Sequence, residues 1–243
     1  MIDLHSHLLY GIDDGCLDID ESISLIKSAY NNGYKALILT PHYIEDTNYN
    51  SNVSNNNKIL NILKSKCYEL NIDIELYLGN EVYYSKDIIN LLEKKEISTL
   101  NNTRYLLMEF SFVLEDKNIL DTIDILVRNN IIPIIAHPER YPYLMKDINK
   151  LKQMIEYGAL FQSNIGSLLG IYGNDVKNNI IKLLKNNMIH VLSSDVHHTD
   201  LYSKINMVKN ILDRININYK DDLLSLNPNK ILNNEEIKEP LLI

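Results

Sequence analysis

The chain begins Met1-Ile-Asp-Leu-His5-Ser-His7-Leu-Leu-Tyr-Gly-Ile-Asp13-Asp14, and the interpretation of the whole sequence starts from this stretch. Two histidines stand one residue apart directly after a short apolar run. Because side chains of a β-strand repeat with a period of two, both imidazoles can point the same way at the end of a strand. That geometry suits two ligands of one metal ion, although a His-x-His pair is as often two unrelated histidines.

The composition is that of an ordinary globular protein. The chain has 243 residues, of which 45% are hydrophobic and 23% are charged. This length allows one large α/β domain or two small ones. The net charge of −8 argues against a nucleic-acid-binding surface, which needs clustered Lys and Arg. It allows a phosphorylated substrate, because bound metal ions can reverse the local sign of the field.

The sequence predicts a cytoplasmic protein with reduced thiols. It contains no segment that resembles a secretory signal and no apolar run of membrane-spanning length. Two cysteines, Cys16 and Cys67, cannot form a disulfide framework. Neither has an arginine six residues later, so the Cys-x5-Arg phosphate loop of cysteine phosphatases is absent. Phosphatase chemistry in this chain therefore needs another nucleophile.

Short apolar runs alternate with amphipathic, helical segments along the chain. This alternation favours βα units with parallel strands, closed or nearly closed into a barrel. The segment 81–103 departs from the order, and we expect a small hairpin and a short helix there. The seven runs are residues 2–5, 36–40, 74–78, 105–110, 131–136, 160–162 and 189–192, and the helical patterns are residues 21–31, 57–70, 119–129, 148–157, 175–186 and 203–215.

The Asn- and Ser-rich stretch 46–57 is the strongest loop candidate. We interpret it as a solvated insert, with a mobile flap beside a functional site as the alternative.

Histidines and isolated acidic residues recur at the ends of these runs. In a barrel of parallel strands these ends face one mouth, where such folds place their chemistry, so we predict that the side chains converge on a metal site. Nitrogen and oxygen ligands without thiolates suit zinc, manganese or iron, and a mixed set favours a multinuclear centre. The residues are His5 and His7 after the first run, His42 after the second, Glu81 after the third, Glu109 in the fourth, His137 after the fifth, and Asp195 and His197 after the seventh.

Several residues near these motifs have two interpretations. Arg140 is a candidate phosphate clamp because its planar fork matches phosphate oxygens, but it could equally form a surface ion pair. Glu139 could reach the site, or it could instead start a helix or lie on the surface. Tyr43 and Tyr141 flank ligand motifs and could line a substrate groove or simply pack in the core.

Two further histidines have weaker claims. His190 begins a run instead of ending one, so we expect it to be structural or exposed. His198 points away from His197 in an extended chain, although it could serve as a partner of a ligand or as a proton donor.

Six motifs together resemble the bacterial manganese-dependent protein-tyrosine phosphatases of the PHP (polymerase and histidinol phosphatase) superfamily, which are associated with capsular and exopolysaccharide synthesis. The similarity runs from the first residues to about Leu232, where Asn227-Pro228-Asn-Lys-Ile231-Leu232 is similar to the family's ending. The motifs are Asp3-Leu-His5-Ser-His7-Leu-Leu-Tyr-Gly11-Ile-Asp13-Asp14-Gly15, Thr40-Pro41-His42-Tyr43, Gly79-Asn80-Glu81, His137-Pro138-Glu139-Arg140-Tyr141, Gln162-Ser-Asn-Ile-Gly166-Ser167-Leu168-Leu169-Gly170 and Ser194-Asp195-Val-His197.

The resemblance implies a single PHP-type metallophosphatase domain, residues 1–243, with a distorted seven-stranded βα barrel. It also implies three divalent ions, manganese with iron or zinc as alternatives. A metal-bound hydroxide would attack a phosphotyrosine, that of a bacterial tyrosine autokinase, while Arg140 contacts the phosphate. The ligands carried over by motif are His5, His7, Glu81 and Asp195 for one ion, Glu81, Glu109 and His137 for a second, and Asp14, His42 and His197 for a third.

One departure concerns the phosphate. Family members typically carry a second arginine a few residues beyond the Asp-x-His motif, whereas residues 198–204 contain none. Lys204 could replace it as a point charge but cannot form a bidentate fork. Two alternative functions therefore stay open, namely a small-molecule PHP phosphatase such as one for histidinol phosphate, and a non-catalytic PHP binding module.

Overall fold

The computed structural model describes residues 1–237, and it shows an α/β fold whose strands pair in parallel throughout this range. The strands form a three-stranded sheet, β1-β2-β4, and a six-stranded sheet, β3-β5-β6-β7-β8-β9. In chain order they are β1 (Ile2–Asp3), β2 (Ala36–Leu39), β3 (His42–Tyr43), β4 (Glu75–Leu78), β5 (Glu81–Tyr83), β6 (Tyr105–Glu109), β7 (Ile132–Ala136), β8 (Leu160–Asn164) and β9 (Val191–Ser193).

Seven of these strands overlap the seven predicted runs, while β3 and β5 continue two of those runs beyond their predicted ends. Pro41, which lacks an N–H, separates β2 from β3, and Gly79-Asn80 separates β4 from β5. Pairing continues across both breaks, since the Glu81 N–H donates to the Pro41 carbonyl at 3.1 Å.

The last run also meets the first. A parallel bridge pairs Ser6 with Val196, and the Asp195 N–H donates to the His5 carbonyl at 2.9 Å. The predicted parallel, distorted barrel-type fold is confirmed.

Ten helices surround the strands within the described range. All six predicted helical patterns form helices whose ends lie within a few residues of those predicted. No helix in residues 1–237 combines the length and apolar character that a bilayer crossing requires. The helices are α1 (Ile19–Asn31), α2 (Val53–Glu69), α3 (Ile88–Glu93), α4 (Ile119–Arg128), α5 (Pro142–Met145), α6 (Ile148–Glu156), α7 (Ile165–Leu169), α8 (Asn174–Lys185), α9 (Ile205–Arg214) and α10 (Asn227–Leu232).

Two local predictions were wrong. Residues 81–83 form no hairpin but pair in parallel with β3 and β6, because they continue the run of β4; the short helix expected nearby is α3. The predicted loop 46–57 ends early, since α2 begins at Val53. Its start is capped by Asn52, whose side chain accepts a hydrogen bond from the Asn55 N–H at 3.0 Å.

Side chains along each strand point alternately to two sides. This alternation separates two apolar layers and determines which residues lie at the mouth of the strand ring. On β6, Tyr105 and Leu107 face an inner cluster that α10 covers from one end, while Leu106 and Met108 pack in the larger cluster that contains the helices. Glu109 continues the inner-facing series. The same period-two pattern therefore places apolar side chains at the bottom of the strand ring and polar side chains at its top. That residues 1–243 form one domain stays a prediction, because residues 238–243 lie outside those described.

His190 is structural, as one of its two interpretations predicted. The ring is fully buried, and its Nδ1 accepts a hydrogen bond from the Phe161 N–H at 3.0 Å. Its Nε2 has no partner among residues 1–237. Burial lowers the pKa of His190 to about 4.

We expect His190 to make the protein acid-sensitive. Its pKa is about 4 in the folded protein and ~6.5 when unfolded, so the unfolded chain binds more protons between these values and stability falls as the pH drops through this window. From pH 7 to pH 5 this group should cost about 2 kcal/mol. In His190→Asn the Oδ1 atom can still accept the hydrogen bond from Phe161. The free energy of unfolding of this variant, measured by urea titration, should therefore fall by less between pH 7 and pH 5 than that of the unchanged protein. Equal losses in both proteins would contradict the assignment.

Candidate metal centre

All nine predicted ligands lie together at the mouth of the strand ring. Donor atoms of eight of them form three overlapping groups, within each of which the atoms lie no more than 4.8 Å apart. His137 adjoins the third group, since its Nε2 is 3.0 Å from Glu81 Oε1 and 3.5 Å from Glu109 Oε2. The groups are His5, His7, Glu81 and Asp195; His7, Asp14, His42 and His197; and His42, Glu81 and Glu109.

The Glu81 carboxylate is the centre of this cluster. Its Oε2 is buried and accepts no hydrogen bond within the described chain. Three imidazole nitrogens nevertheless face it, at 3.1 Å (His5 Nε2), 3.2 Å (His7 Nε2) and 3.1 Å (His42 Nδ1). Buried polar atoms are normally paired, so an unpaired oxygen among nitrogen donors fits a bound cation. The absence of thiolates suits manganese, iron or zinc.

Two side chains outside the predicted set orient the first two imidazoles. Gln162 Oε1 accepts a hydrogen bond from His5 Nδ1 at 2.9 Å, and Asp13 Oδ2 accepts one from His7 Nδ1 at 2.8 Å. Each acceptor keeps the proton on Nδ1, which leaves the Nε2 lone pair facing Glu81. Sequence reasoning missed this role. The available signal was that the sixth run ends in an amide where the other runs end in a ligand.

Asn164 lies two residues after Gln162 on β8 and orients the Asp195 carboxylate. Its Nδ2 donates to Asp195 Oδ2 at 2.6 Å, and its Oδ1 accepts from Gln162 Nε2 at 2.9 Å. Strand β8 thus supplies a connected pair of amides that holds both His5 and Asp195.

Glu139 is neither a surface residue nor a member of the cluster, but it lies in the first turn of the 3₁₀ helix Pro138–Arg140, as its helix-start interpretation predicted. Its carboxylate is fully buried and accepts hydrogen bonds from Ser163 Oγ (2.7 Å), Ser167 Oγ (2.6 Å) and the Asn164 N–H (3.0 Å). It therefore fixes the backbone from which the Asn164 side chain projects.

The backbone is strained or crowded where the ligands attach. His137 and Asp195 both have left-handed conformations, with φ of 37° and 51°, which are uncommon for residues other than glycine. Such outliers persist where the surrounding structure enforces them. Gly15 closes the opening motif, and a Cβ atom there would lie 2.2 Å from the His7 carbonyl oxygen. Only glycine allows the loop with Asp13 and Asp14 to approach His7.

The charges of the cluster are strongly coupled. Burial alone would lower the pKa of His137, but Glu109 and Glu81 outweigh it and raise this pKa to about 10. Burial would raise the pKa of Glu81, but His5 and His42 hold it well below its usual range. The carboxylate is therefore ionised at neutral pH. A metal ion would compete with protons for the imidazoles, so acid should weaken metal binding.

The cysteines have no nucleophilic role in this arrangement. Both thiols are buried and free, and burial raises the pKa of Cys16 to about 12. A thiol with such a pKa stays protonated at neutral pH.

Arg140 lies at the edge of the cluster rather than in a surface pair. It ends a 3₁₀ turn, Pro138–Arg140, that follows His137 directly. Its Nη1 is 3.4 Å from Asp195 Oδ2, and 26% of its side chain is exposed. The guanidinium is therefore open to the mouth and anchored to the cluster.

The two tyrosines proposed as groove residues are not placed at the mouth. Tyr43 follows His42 on β3 and consequently faces the opposite side, where it is buried in the apolar core. Tyr141 is fully buried, and its hydroxyl accepts a hydrogen bond from the Phe110 N–H at 3.0 Å.

Lys204 and His198 also lie away from the cluster. Lys204 is exposed on a 3₁₀ turn, Tyr202–Lys204, and its side chain forms no ion pair with the cluster in residues 1–237. His198 Nδ1 instead lies 2.9 Å from Glu21 Oε1 on α1. The structure therefore supplies no replacement for a second arginine from either residue.

A tyrosine that sequence reasoning missed does meet the cluster. Tyr49 belongs to the loop before α2, and its ring is stacked with His42 at a centroid distance of 6.1 Å and an interplanar angle of 16°. Part of the loop interpreted as a solvated insert therefore packs against a candidate ligand. That the loop moves as a flap stays a prediction.

Comparison with known proteins identifies close relatives along the whole length. Residues 1–233 match the family model described as capsular polysaccharide synthesis, CpsB/CapC. The chain is 32% identical to a putative tyrosine-protein phosphatase CapC from Staphylococcus aureus, over 99% of this chain and 94% of the relative. It is 31% identical to the tyrosine-protein phosphatase YwqE from Bacillus subtilis, over 82% of this chain and 78% of the relative.

The fold has an equally close counterpart among solved structures. It superposes with a TM-score of 0.92 and 28% identity on a crystal structure from work on YwqE from Bacillus subtilis and CpsB from Streptococcus pneumoniae, described as unique metal-dependent tyrosine phosphatases. The match covers 100% of this chain and 99% of that one.

The role of Asp13 can be tested through metal affinity. Asp13→Asn should lower it by about 10- to 100-fold, because the amide has no negative charge to strengthen the His7 hydrogen bond, and its NH2 group cannot accept from the Gly15 N–H while its oxygen accepts from His7 and the His42 N–H. Titration of the metal-free protein with Mn²⁺ measures the effect. Asp18→Asn is the matched control, since asparagine caps α1 as well as aspartate does. Equal affinities in the two variants would exclude the role.

Proposed function

Because this chain belongs to the CpsB/CapC family of capsular polysaccharide synthesis proteins, we propose that it is a metal-dependent protein-tyrosine phosphatase. The observation that carries the proposal is the buried, unpaired Glu81 Oε2, which faces three imidazole nitrogens at 3.1–3.2 Å. The relatives named above are tyrosine-protein phosphatases that match this chain over most of its length.

The proposed centre holds three divalent ions, manganese with iron or zinc as alternatives. The donor groups support this proposal, since the first contains the set proposed for one ion and the second contains the set proposed for another together with His7. The third group contains Glu81 and Glu109, and His137 Nε2 lies 3.0 and 3.5 Å from their carboxylates. When bound, such ions lower the pKa of water at the site toward neutrality and stabilise charge on phosphoryl oxygens. The proposed sets are His5, His7, Glu81 and Asp195; Glu81, Glu109 and His137; and Asp14, His42 and His197.

The chain's own residues then have separate tasks. Arg140 binds the phosphate and fixes its orientation, since a planar guanidinium can donate two parallel hydrogen bonds to phosphate oxygens. Asp13 and Gln162 keep two imidazoles in the tautomer whose Nε2 faces the centre. Tyrosine leaves as a phenolate whose conjugate acid has a pKa of ~10, so it needs less general acid assistance than an alkoxide does.

The substrate we propose is phosphotyrosine on a bacterial tyrosine autokinase that regulates capsular or exopolysaccharide synthesis. Action in the cytoplasm belongs to the same proposal, and the two free thiols are typical of a reducing compartment. A non-catalytic binding module would have no chemical reason to keep nine candidate ligands together.

A substrate panel tests the function. We expect the manganese-loaded protein to cleave a phosphotyrosine peptide with a kcat/KM about tenfold or more above that for a phosphoserine peptide, histidinol phosphate or a sugar phosphate. His137→Ala, which removes a candidate ligand, is the inactive control. Preferential cleavage of histidinol phosphate would instead establish the small-molecule alternative, and phosphopeptide binding without turnover would establish the binding module.

A second experiment tests Arg140. Arg140→Lys keeps the charge but loses the bidentate fork, so kcat/KM for the phosphotyrosine peptide should fall by about tenfold while metal content stays unchanged. Metal content is measured by elemental analysis of the assayed sample. The matched control is Arg128→Lys on α4, where the arginine forms an exposed ion pair with Asp124. An unchanged kcat/KM in Arg140→Lys would remove this residue from the site.

A further inference from the structure

Arg140 is enclosed by two aromatic rings. Its guanidinium carbon lies 4.6 Å from the centroid of Phe112 and 4.5 Å from the centroid of Tyr172. Both distances are well within the range of about 6 Å in which a cation is attracted to the face of an aromatic ring. Phe112 lies in the loop after β6, and Tyr172 lies in the turn between α7 and α8, so the two rings reach this side chain from different parts of the chain.

Each ring is itself held by the structure. The Phe112 ring is stacked with Tyr141 at 5.4 Å and with His137 at 5.6 Å, although 38% of the residue is exposed at the mouth. Tyr172 packs over the start of α7, where a Cβ atom on Gly166 would lie only 3.2 Å from Tyr172 Cε2. The enclosure therefore rests on fixed surfaces instead of flexible side chains.

The single polar contact of Arg140 with the cluster does not orient its plane. Arg140 Nη1 lies 3.4 Å from Asp195 Oδ2, which is long for a charge-assisted hydrogen bond. A single contact of this length allows the guanidinium plane to rotate. Two flanking rings restrict this rotation, because a guanidinium stacks flat on aromatic faces. A restricted arginine loses less rotamer entropy when it binds a ligand.

We propose that Phe112 and Tyr172 are positioning residues that hold the Arg140 guanidinium in the plane in which it binds the phosphate of the substrate. This inference rests on the proposed function, in which Arg140 is the phosphate ligand. Because the described structure brings no lysine or arginine from 198–204 to the cluster, the orientation of this one guanidinium contributes directly to phosphate affinity.

The test compares Tyr172→Leu with Tyr172→Phe in the manganese-loaded protein. Tyr172→Leu removes the ring, whereas Tyr172→Phe keeps it and removes only the hydroxyl. We expect Tyr172→Leu to raise both the KM for a phosphotyrosine peptide and the Kd for inorganic phosphate by about 3- to 30-fold. kcat should change by less than about twofold, and Tyr172→Phe should restore most of the affinity. Calorimetry gives the phosphate Kd without turnover.

Two further variants separate positioning from a general loss of structure. Phe112→Leu removes the opposite ring and should act in the same direction, and Tyr68→Leu makes the same change as Tyr172→Leu at an exposed position on α2. In an Arg140→Gln background, Tyr172→Leu should have no additional effect on the phosphate Kd, because the ring acts only through the arginine.

The outcomes are distinct. If Arg140→Gln weakens phosphate binding but Tyr172→Leu and Phe112→Leu do not, the inference is overturned and the proposed role of Arg140 stands. If both leucine variants weaken binding equally in the presence and absence of Arg140, the rings act in another way and the inference is also overturned. If Arg140→Gln itself leaves the phosphate Kd unchanged, the proposed phosphate ligand is wrong and the inference is overturned with it.

Discussion

The architecture of the mouth depends on one buried carboxylate. Removing an ionised carboxyl from water costs several kcal/mol unless positive charge surrounds it, and Glu81 is buried with one oxygen unpaired. Imidazoles from three other runs surround this carboxylate. Gln162 and Asp13 in turn orient the rings of His5 and His7. The cluster is therefore arranged around a charge that its own hydrogen bonds do not satisfy, which is the physical basis for assigning it to cations.

The part of this arrangement that sequence could predict follows from one periodicity. Parallel strands of similar length end at the same edge, so titratable residues at run ends such as His42, Glu81 and His137 converge whatever the exact register. Asp14 does not stand at the end of a run but lies further along the loop that follows the first run. Its assignment as a ligand came from the resemblance to the phosphatase family. Strand and helix positions followed from the same alternation of patterns.

What sequence could not predict depends on side-chain direction and on loops. Tyr43 was chosen for its nearness to His42 along the chain, but adjacent residues of a strand face opposite sides. Tyr49 meets His42 through a loop path that no periodicity encodes, and Lys204 is turned outward on a short 3₁₀ turn. Gln162 and Asn164 were not predicted as site residues because amides are not typical metal ligands. Their side chains nevertheless face inward from β8 and form hydrogen bonds with His5 and Asp195.

The bridge between Ser6 and Val196 has a consequence for biosynthesis. His5 and His7 are synthesised well before their partner Asp195, which follows them at a long distance along the chain. No amino-terminal fragment that lacks the final run can assemble the cluster, however well its helices and earlier strands have folded. Such long sequence separation delays closure of the mouth to the last stage of folding. A chain that ends before Asp195 therefore contains one complete proposed ion set, that of Glu81, Glu109 and His137, and the two other sets are completed only when the final run is in place.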